Sequence, residues 1–500
     1  MLIYGPGTVT VGFGRRFTSP LVWTALFAVF WAIARAAAQA VTIDEANTYL
    51  AFAGVSWPGQ WYPAANNHVL NTVLMRLATS VLGLSHLTVR APALLGAVIY
   101  IAAAYCLTKL ITDDMKLEWP LFVCLVFNPF IFDYLVAARG YGLAAAFLLC
   151  VIAIPYRLRE QRLMAGCALS SACAGLSFAA NFSFGIVDAA TLLVVFFWAW
   201  HRESTSRRLA QLLTACTLPA AFITLILSAP ALLGFPKTDL TYGATSWGET
   251  LHTVVSSSFY ELNPNIVNPL LYPALAHATR FLFPLLAIVC VYQLIIFIRN
   301  RARIEDRHVV LLAVLSGIGL LTFAAHWISF EMFQLLLPKE RTALFFVPLA
   351  TLIAGVLASV SIPGRAAKFG KMALTILFYI VATYFLLCLR LSYFKEWRYD
   401  GDVKNVYSVL SYYNHAFGVR NIASNWMYVP SLNFYRRLSG HETIAEFADS
   451  HPYPQDRSVY VLYEPDDRAF LEAQKLKVVY RGDLSDVVVA IRPEAESTPR

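Results

Sequence analysis

Charge is what this chain has least of. Only 14% of its 500 residues are Asp, Glu, Lys or Arg, against 58% apolar residues, and its mean hydropathy is +0.57. That composition excludes an ordinary water-soluble domain and leaves an integral membrane protein. The eight cysteines all fall inside apolar stretches and none in the polar loops or tail, which excludes a disulfide framework and leaves small buried thiols. CxxC and HxxxH spacings are missing, so no dedicated zinc site is written into the chain. A net charge of +8 would suit a nucleic-acid partner, but the arginines are scattered between apolar runs, which argues against one. No internal repeat is evident.

What is present is a series of apolar runs near 20 residues, each long enough to cross a bilayer as a helix. They lie at about 20–40, 87–110, 117–135, 140–156, 163–182, 184–200, 209–232, 276–298, 308–328, 341–361 and 371–391. Basic residues collect in every second connection: Arg15/Arg16, Lys109/Lys116, Arg157/Arg159/Arg162, Arg202/Arg207/Arg208, Arg299 to Arg307 and Arg365/Lys368/Lys371. By the positive-inside rule those six connections are cytoplasmic, so the N-terminus is inside and the C-terminus outside, with about eleven spans. The basic start, the first apolar run and Ala36-Ala37-Ala38-Gln39-Ala40 imitate a signal peptide, but the run is long for one and is read here as the first span.

The predicted fold class is mainly α: a polytopic membrane helix bundle over 1–391, followed by a small extracytoplasmic α/β domain over 392–500. Three outer regions are large. Loop 41–86 carries Asp44/Glu45, then Trp57, Trp61 and Tyr62, then an apolar-periodic stretch Val69–Leu82 that suits a helix lying in the interface. Loop 233–275 is rich in Pro, Asn and Ser and reads as irregular. In the tail, Val459–Tyr463, Val478–Tyr480 and Asp486–Ile491 read as strands and Asp467–Lys475 as a helix.

The candidate chemistry sits at the outer ends of the spans. Asp44 and Glu45 are adjacent carboxylates just beyond the first span; they suit an N-cap, with Thr42 or Asp44 opening a helix over Glu45–Phe52, and equally a general base. Asn66-Asn67-His68 follows, with His68 either a hydrogen-bonded structural residue or a ligand group. Asp133, Arg139 and Tyr141 crowd a short outer turn after Asn128-Pro129. Asp133 and Arg139 could pair with each other, or Asp133 could serve as a second carboxylate and share a divalent cation with Asp44. Lys339 and Arg341 open the tenth span from outside, against the charge bias, and fit either headgroup snorkelling or a phosphate clamp.

Read in order, Thr42-Ile43-Asp44-Glu45, Asn66-Asn67-His68-Val69-Leu70 and Leu84 to Gly96 with its Arg90-Ala91-Pro92 resemble the opening of the dolichyl-phosphate-mannose protein mannosyltransferase-like family. Ala138-Arg139-Gly140-Tyr141 resembles that family's Ala-Arg-x-Tyr element, and Lys339-Glu340-Arg341 to Pro348 its late Arg-Tyr…Pro segment. The resemblance covers roughly 20–160 well and 335–360 loosely. It implies GT-C architecture and transfer of a sugar from a polyprenyl-phosphate donor at the non-cytoplasmic face. Two positions depart from the pattern: Ala137 stands where many relatives have Glu, and Val69 follows His68 in place of Pro.

The expected mechanism is an inverting displacement in which Asp44 takes the acceptor proton and Glu45 orients the acceptor or tunes Asp44. Arg341, Lys339 and a cation near Asp133 would hold the departing phosphate, with Asn67, His68, Arg139 and Tyr141 binding substrate. The expected partners are a polyprenyl-phosphate-linked sugar, membrane lipids, and a glycan, glycolipid or protein acceptor in the envelope. Arg- and Ala-rich usage suits a bacterial inner membrane. The competing class is a transporter or lipid-linked-sugar flippase, which would place charge at mid-bilayer depth; here the span centres are nearly free of it, Asp188 being the main exception.

Overall fold

The computed structural model describes residues 19–493 apart from 203–205, 235–240, 260–287, most of 289–306, 361–364 and 441–442. Among the described residues eight helices are long and apolar enough to cross a membrane, and the protein is a multi-pass membrane protein. They are Pro20–Ala38 (α1), Ala91–Ile111 (α5), Leu163–Ala180 (α9), Phe182–Arg202, Arg208–Leu227, Arg307–Phe333, Glu340–Ser359 and Lys368–Leu387. The expected span at 276–298 lies almost wholly outside the described residues.

One expected span is shorter: Met115–Val126 (α6) ends well before residue 135. The expected span at 140–156 is Tyr141–Arg157 (α8), with the same 17 residues. The break after α6 has a local cause. Pro129 bars the preceding residue from helical backbone, so Asn128 turns outward (φ −53°, ψ 122°). Its side-chain oxygen then accepts from the Phe130 and Ile131 amides at 3.0 and 3.3 Å and opens a new six-residue helix, Pro129–Tyr134 (α7).

α5, α8 and α9 pack side by side. A Cβ at Gly96 would stand 2.8 Å from the Leu143 Cα, so glycine there lets α5 and α8 touch backbone to backbone. Helix direction then brings the C-terminal ends of α1 and α6 and the N-terminal ends of α5 and α8 to the same end of the bundle.

Between α1 and α5 the chain forms Ile43–Asn47 (α2), running straight into a π-helical turn Thr48–Ala53, then Val69–Leu82 (α3) and His86–Val89 (α4). On α3, Leu77, Val81 and Leu82 are exposed, as an interfacial helix requires. The expectation of an irregular loop over 233–275 is corrected in part: Trp247–Ser258 is a helix, opened by Ser246, whose hydroxyl accepts from the Glu249 amide at 3.2 Å.

The tail carries a four-stranded sheet in the order β1-β2-β4-β3, with β1 Ile422–Ser424, β2 Val459–Tyr463, β3 Lys477–Arg481 and β4 Val487–Ile491. β1 runs parallel to β2, and the other pairs are antiparallel. Three strands and the helix Glu464–Ala473 match expectation. β1 and the helices Val403–Phe417 and Val429–Ser439 do not follow from the sequence pattern. Alternation of side chains along β2 and β4 feeds two cores. Tyr460, Leu462, Val488 and Ala490 pack with Tyr453 and Leu476. Val459, Val461, Val487, Val489 and Ile491 pack in one cluster with Val41, Ala46, Tyr49, Ala53, Met75, Val89 and Ala138. Loop 41–86 and the tail therefore share a hydrophobic core.

Candidate active site

The site begins with a capping box that splits the acidic pair. Thr42 caps α2: its hydroxyl accepts from the Glu45 amide at 3.2 Å, and its own amide donates to Glu45 Oε2 at 3.0 Å. That reciprocal bond turns Glu45 inward, where Arg90 grips it with two bonds, Nε to Oε1 at 2.9 Å and Nη2 to Oε2 at 2.7 Å. The Ala138 amide adds a third at 2.8 Å. Burial alone would raise the Glu45 carboxyl, but the Arg90 charge and these bonds outweigh it and hold it below its ordinary value. Arg90 spends its remaining donors on the carbonyls of Ala36, Gln39 and Ala40. Glu45 is thus a structural anchor joining α2, the start of α5 and the turn before α8. The expected role in orienting an acceptor is corrected: neither oxygen is open.

Asp44 points the other way and keeps 21% of its side chain exposed. Arg139 Nε lies 3.6 Å from its Oδ2, Arg341 Nη1 3.8 Å, and the Trp397 indole donates to the same oxygen at 3.2 Å. All three contacts fall on Oδ2, and Oδ1 makes no hydrogen bond among the described residues.

Arg139 does not pair with Asp133. Its Nη1 donates to Thr48 Oγ1 at 2.9 Å and reaches the carbonyls of Asp44 and Asn66 at 3.4 Å. Asp133 is taken instead by Arg35 on α1, at 2.7 Å, and by the Lys395 amide at 2.9 Å, and it is buried. A divalent cation shared by Asp44 and Asp133 does not fit these residues: Asp133 already holds a full positive charge, and among the described residues no three His, Cys, Asp or Glu gather.

The turn that delivers Arg139 depends on Gly140, at φ +75°. A Cβ there would stand 2.2 Å from the Ala180 carbonyl oxygen and 2.9 Å from His68 Cβ. Tyr141 packs on Tyr134 and His68, with ring centroids 5.0 and 5.2 Å apart. His68 is 3% exposed, and neither ring nitrogen has a hydrogen-bond partner among the described residues. Burial, with the Arg139 and Arg341 charges behind it, pushes its pKa well below the usual histidine value, so the ring is neutral. A buried polar group with no bond is destabilising on its own and marks a place for a ligand or water. Asn67 is different: its amide donates to the Gln60 and Tyr62 carbonyls and its oxygen accepts from Thr72, so the expected substrate contact is corrected to a loop brace.

Lys339 is paired with Glu249 at 2.8 Å. Arg341 lies over the Tyr242 ring, 4.7 Å to centroid, and bonds Glu396 as well as approaching Asp44. Glu396, absent from the sequence-derived candidates, is the second carboxylate of the site. It also accepts from the Tyr134 hydroxyl, and burial raises its pKa more than Arg341 lowers it. Arg35 and Trp397 were likewise missed. The available signal was a charged and aromatic run, Lys395-Glu396-Trp397, directly after the last span.

No protein-family profile matches the chain, and no curated protein does. Solved structures do. The crystal structure of ArnT from Cupriavidus metallidurans bound to undecaprenyl phosphate superposes with a TM-score of 0.51 and 14% identity, over 94% of this chain and 97% of that one. The same protein in the apo state gives 0.50 and 14%, over 97% and 100%. The chain shares the fold of ArnT. Arabinosyltransferase EmbB from Mycobacterium smegmatis aligns more weakly, at 0.45 and 13%, over 88% of this chain and 44% of that one.

Proposed function

We propose that the chain is an inverting glycosyltransferase that moves a sugar from a polyprenyl-phosphate donor to an envelope acceptor on the non-cytoplasmic face of a bacterial inner membrane. The observation that carries this reading is the pairing of a partly open carboxylate with an arginine: Asp44 and Arg341 lie 3.8 Å apart, with side chains 21% and 23% exposed. Glycosyl transfer from a lipid phosphate needs a base for the acceptor and a cation for the leaving group within one sugar's width. Asp44 Oδ1 would take the proton of an acceptor hydroxyl as its oxygen bonds the anomeric carbon. The bond from that carbon to the phosphate oxygen breaks, its electrons staying on the phosphate, where Arg341 neutralises them. Neutral His68, beside Tyr141, would bond a sugar or acceptor hydroxyl. The likeness to ArnT with undecaprenyl phosphate supports a lipid phosphate as the donor class. Cytoplasmic placement of the six basic connections supports the outward-facing site.

Asp188 is the observation that most favours a transporter, because it is buried in a span. It sits in the first turn of its helix, Gly185–Arg202, at the site end and away from mid-bilayer depth. Replacing Asp44 with Asn should lower sugar transfer by about a hundredfold or more while the melting temperature in detergent stays put. Near-normal transfer by that variant would remove Asp44 as the base. Labelling of a cysteine placed beside Asp44 from the cytoplasm would remove the proposed face.

A further inference from the structure

Three consecutive residues of the tail close over the site. The Lys395 amide donates to Asp133, the Glu396 carboxylate bonds Arg341 and the Tyr134 hydroxyl, and the Trp397 indole donates to Asp44. Residues 395 and 397 are fixed: Trp397 is buried, edge-on to Tyr134 and Phe394 at 5.6 and 6.0 Å, and the Lys395 ammonium bonds the Ser256 carbonyl. The Glu396 side chain, by contrast, is 27% exposed.

Arg341 therefore carries two carboxylates on one guanidinium, Glu396 and Asp44. The nearby cations are not spare, since Lys339 is held by Glu249, Arg139 by Asp44 and Thr48, and Arg35 by Asp133. A third anion at Arg341 would meet two like charges, so one must leave. Asp44 has a second cation, Arg139, and the Trp397 indole to keep it in place. Among the described residues, Glu396 has only Arg341 and a neutral phenol as partners. The pair is also less enclosed than its neighbour: the Arg341 and Glu396 side chains are 23% and 27% exposed, against 4% and 6% for Arg35 and Asp133.

We propose that Glu396 is an exchangeable anion seated on Arg341, and that the phosphate of a polyprenyl-phosphate substrate displaces it. Glu396 is a positioning residue: it holds the guanidinium in place in the empty site and yields it, together with the freed Tyr134 hydroxyl, to the phosphate. This rests on the lipid-phosphate reading above, but it concerns binding and not bond-making.

The test is direct titration of the purified full-length protein with farnesyl monophosphate, beside inorganic phosphate as the headgroup alone. Glu396→Gln removes the competing charge at constant shape, so farnesyl monophosphate should bind about threefold or more tightly. Glu396→Asp should stay near wild type, and Glu396→Ala should follow the Gln variant. Arg341→Gln should weaken binding about tenfold, and adding Glu396→Gln to it should restore nothing. Unchanged or weaker binding by both Glu396→Gln and Glu396→Ala overturns the proposal, as does a gain that persists without Arg341. A gain for inorganic phosphate with no preference for the lipid overturns the assignment to a lipid phosphate. These titrations need no sugar transfer, so their outcome is independent of whether Asp44→Asn retains activity.

Discussion

Ion pairs at the two ends of the helical bundle differ in how much water reaches them. At the end carrying the basic connections, Arg307 and Asp113 are 44% and 73% exposed and Arg202 and Glu160 41% and 66%, with Glu118, paired to Lys109, the buried exception. At the other end, Arg90 and Glu45 are fully buried and Arg35 and Asp133 nearly so. Exposed pairs contribute little and exchange freely with solvent, so the first set orients the protein in the membrane without shaping it. Buried pairs hold one geometry because breaking them leaves an uncompensated charge. The outer end is built to keep a few charged groups at set positions around Asp44 and Arg341, which is the property of a site.

That contrast can be broken most directly by removing one partner at each end. Arg90→Ala should cost about 3–5 kcal/mol and abolish folded protein, whereas Arg307→Ala should stay within about 1 kcal/mol; thermal melting in detergent compares the two. Equal effects would dissolve the distinction. Gly140→Ala should come next, at about 1–3 kcal/mol, because it combines a left-handed backbone with a clash against the Ala180 carbonyl. Its transfer rate should fall as well, since the same turn places Arg139.

Acidity sharpens the comparison further. Glu45 has a depressed pKa, so its stabilising contribution is complete above its unfolded value of 4.5 and is lost as pH falls through the lower folded value. The melting temperature of the wild type should therefore drop on that acid limb, and a Glu45→Gln variant, where it folds, should lack the drop. The smallest effect concerns His86, which bonds the Tyr435 hydroxyl at 3.0 Å. Burial, then the Arg90 and Lys404 charges, lower its pKa from 6.5 to about 4. A lowered histidine favours the folded state above 6.5, and that contribution declines as pH falls toward 4. His86→Asn should flatten the stability profile in that window.

Much of the site was legible because its parts are local. Thr42 and Glu45 form a capping box within four residues, and Asn128-Pro129 stops a helix by sterics that need no distant partner, although the expected span at 117–135 ran through it. The motifs around Asp44, Arg90 and Arg139 could be picked out in order, yet not why they travel together; the reason is that Arg90 and the Ala138 amide both bond Glu45. Pairing across the fold was out of reach. Arg35 and Asp133 are 98 positions apart, and Asp133 to Arg139 looked better by proximity. Asp44 and Trp397 are 353 apart.

Apolar run length, proline and glycine punctuation and the alternation of basic loops determined the membrane class, the helix ends and the placement of candidate groups at one end, since these depend on hydration and backbone sterics that act residue by residue. Tertiary structure decided which of two neighbouring carboxylates works in the open and which is sealed by an arginine, and it brought Glu396 from the tail to Arg341. Charge pairing in a low-dielectric junction depends on distance in space, and chain order carries no record of that distance.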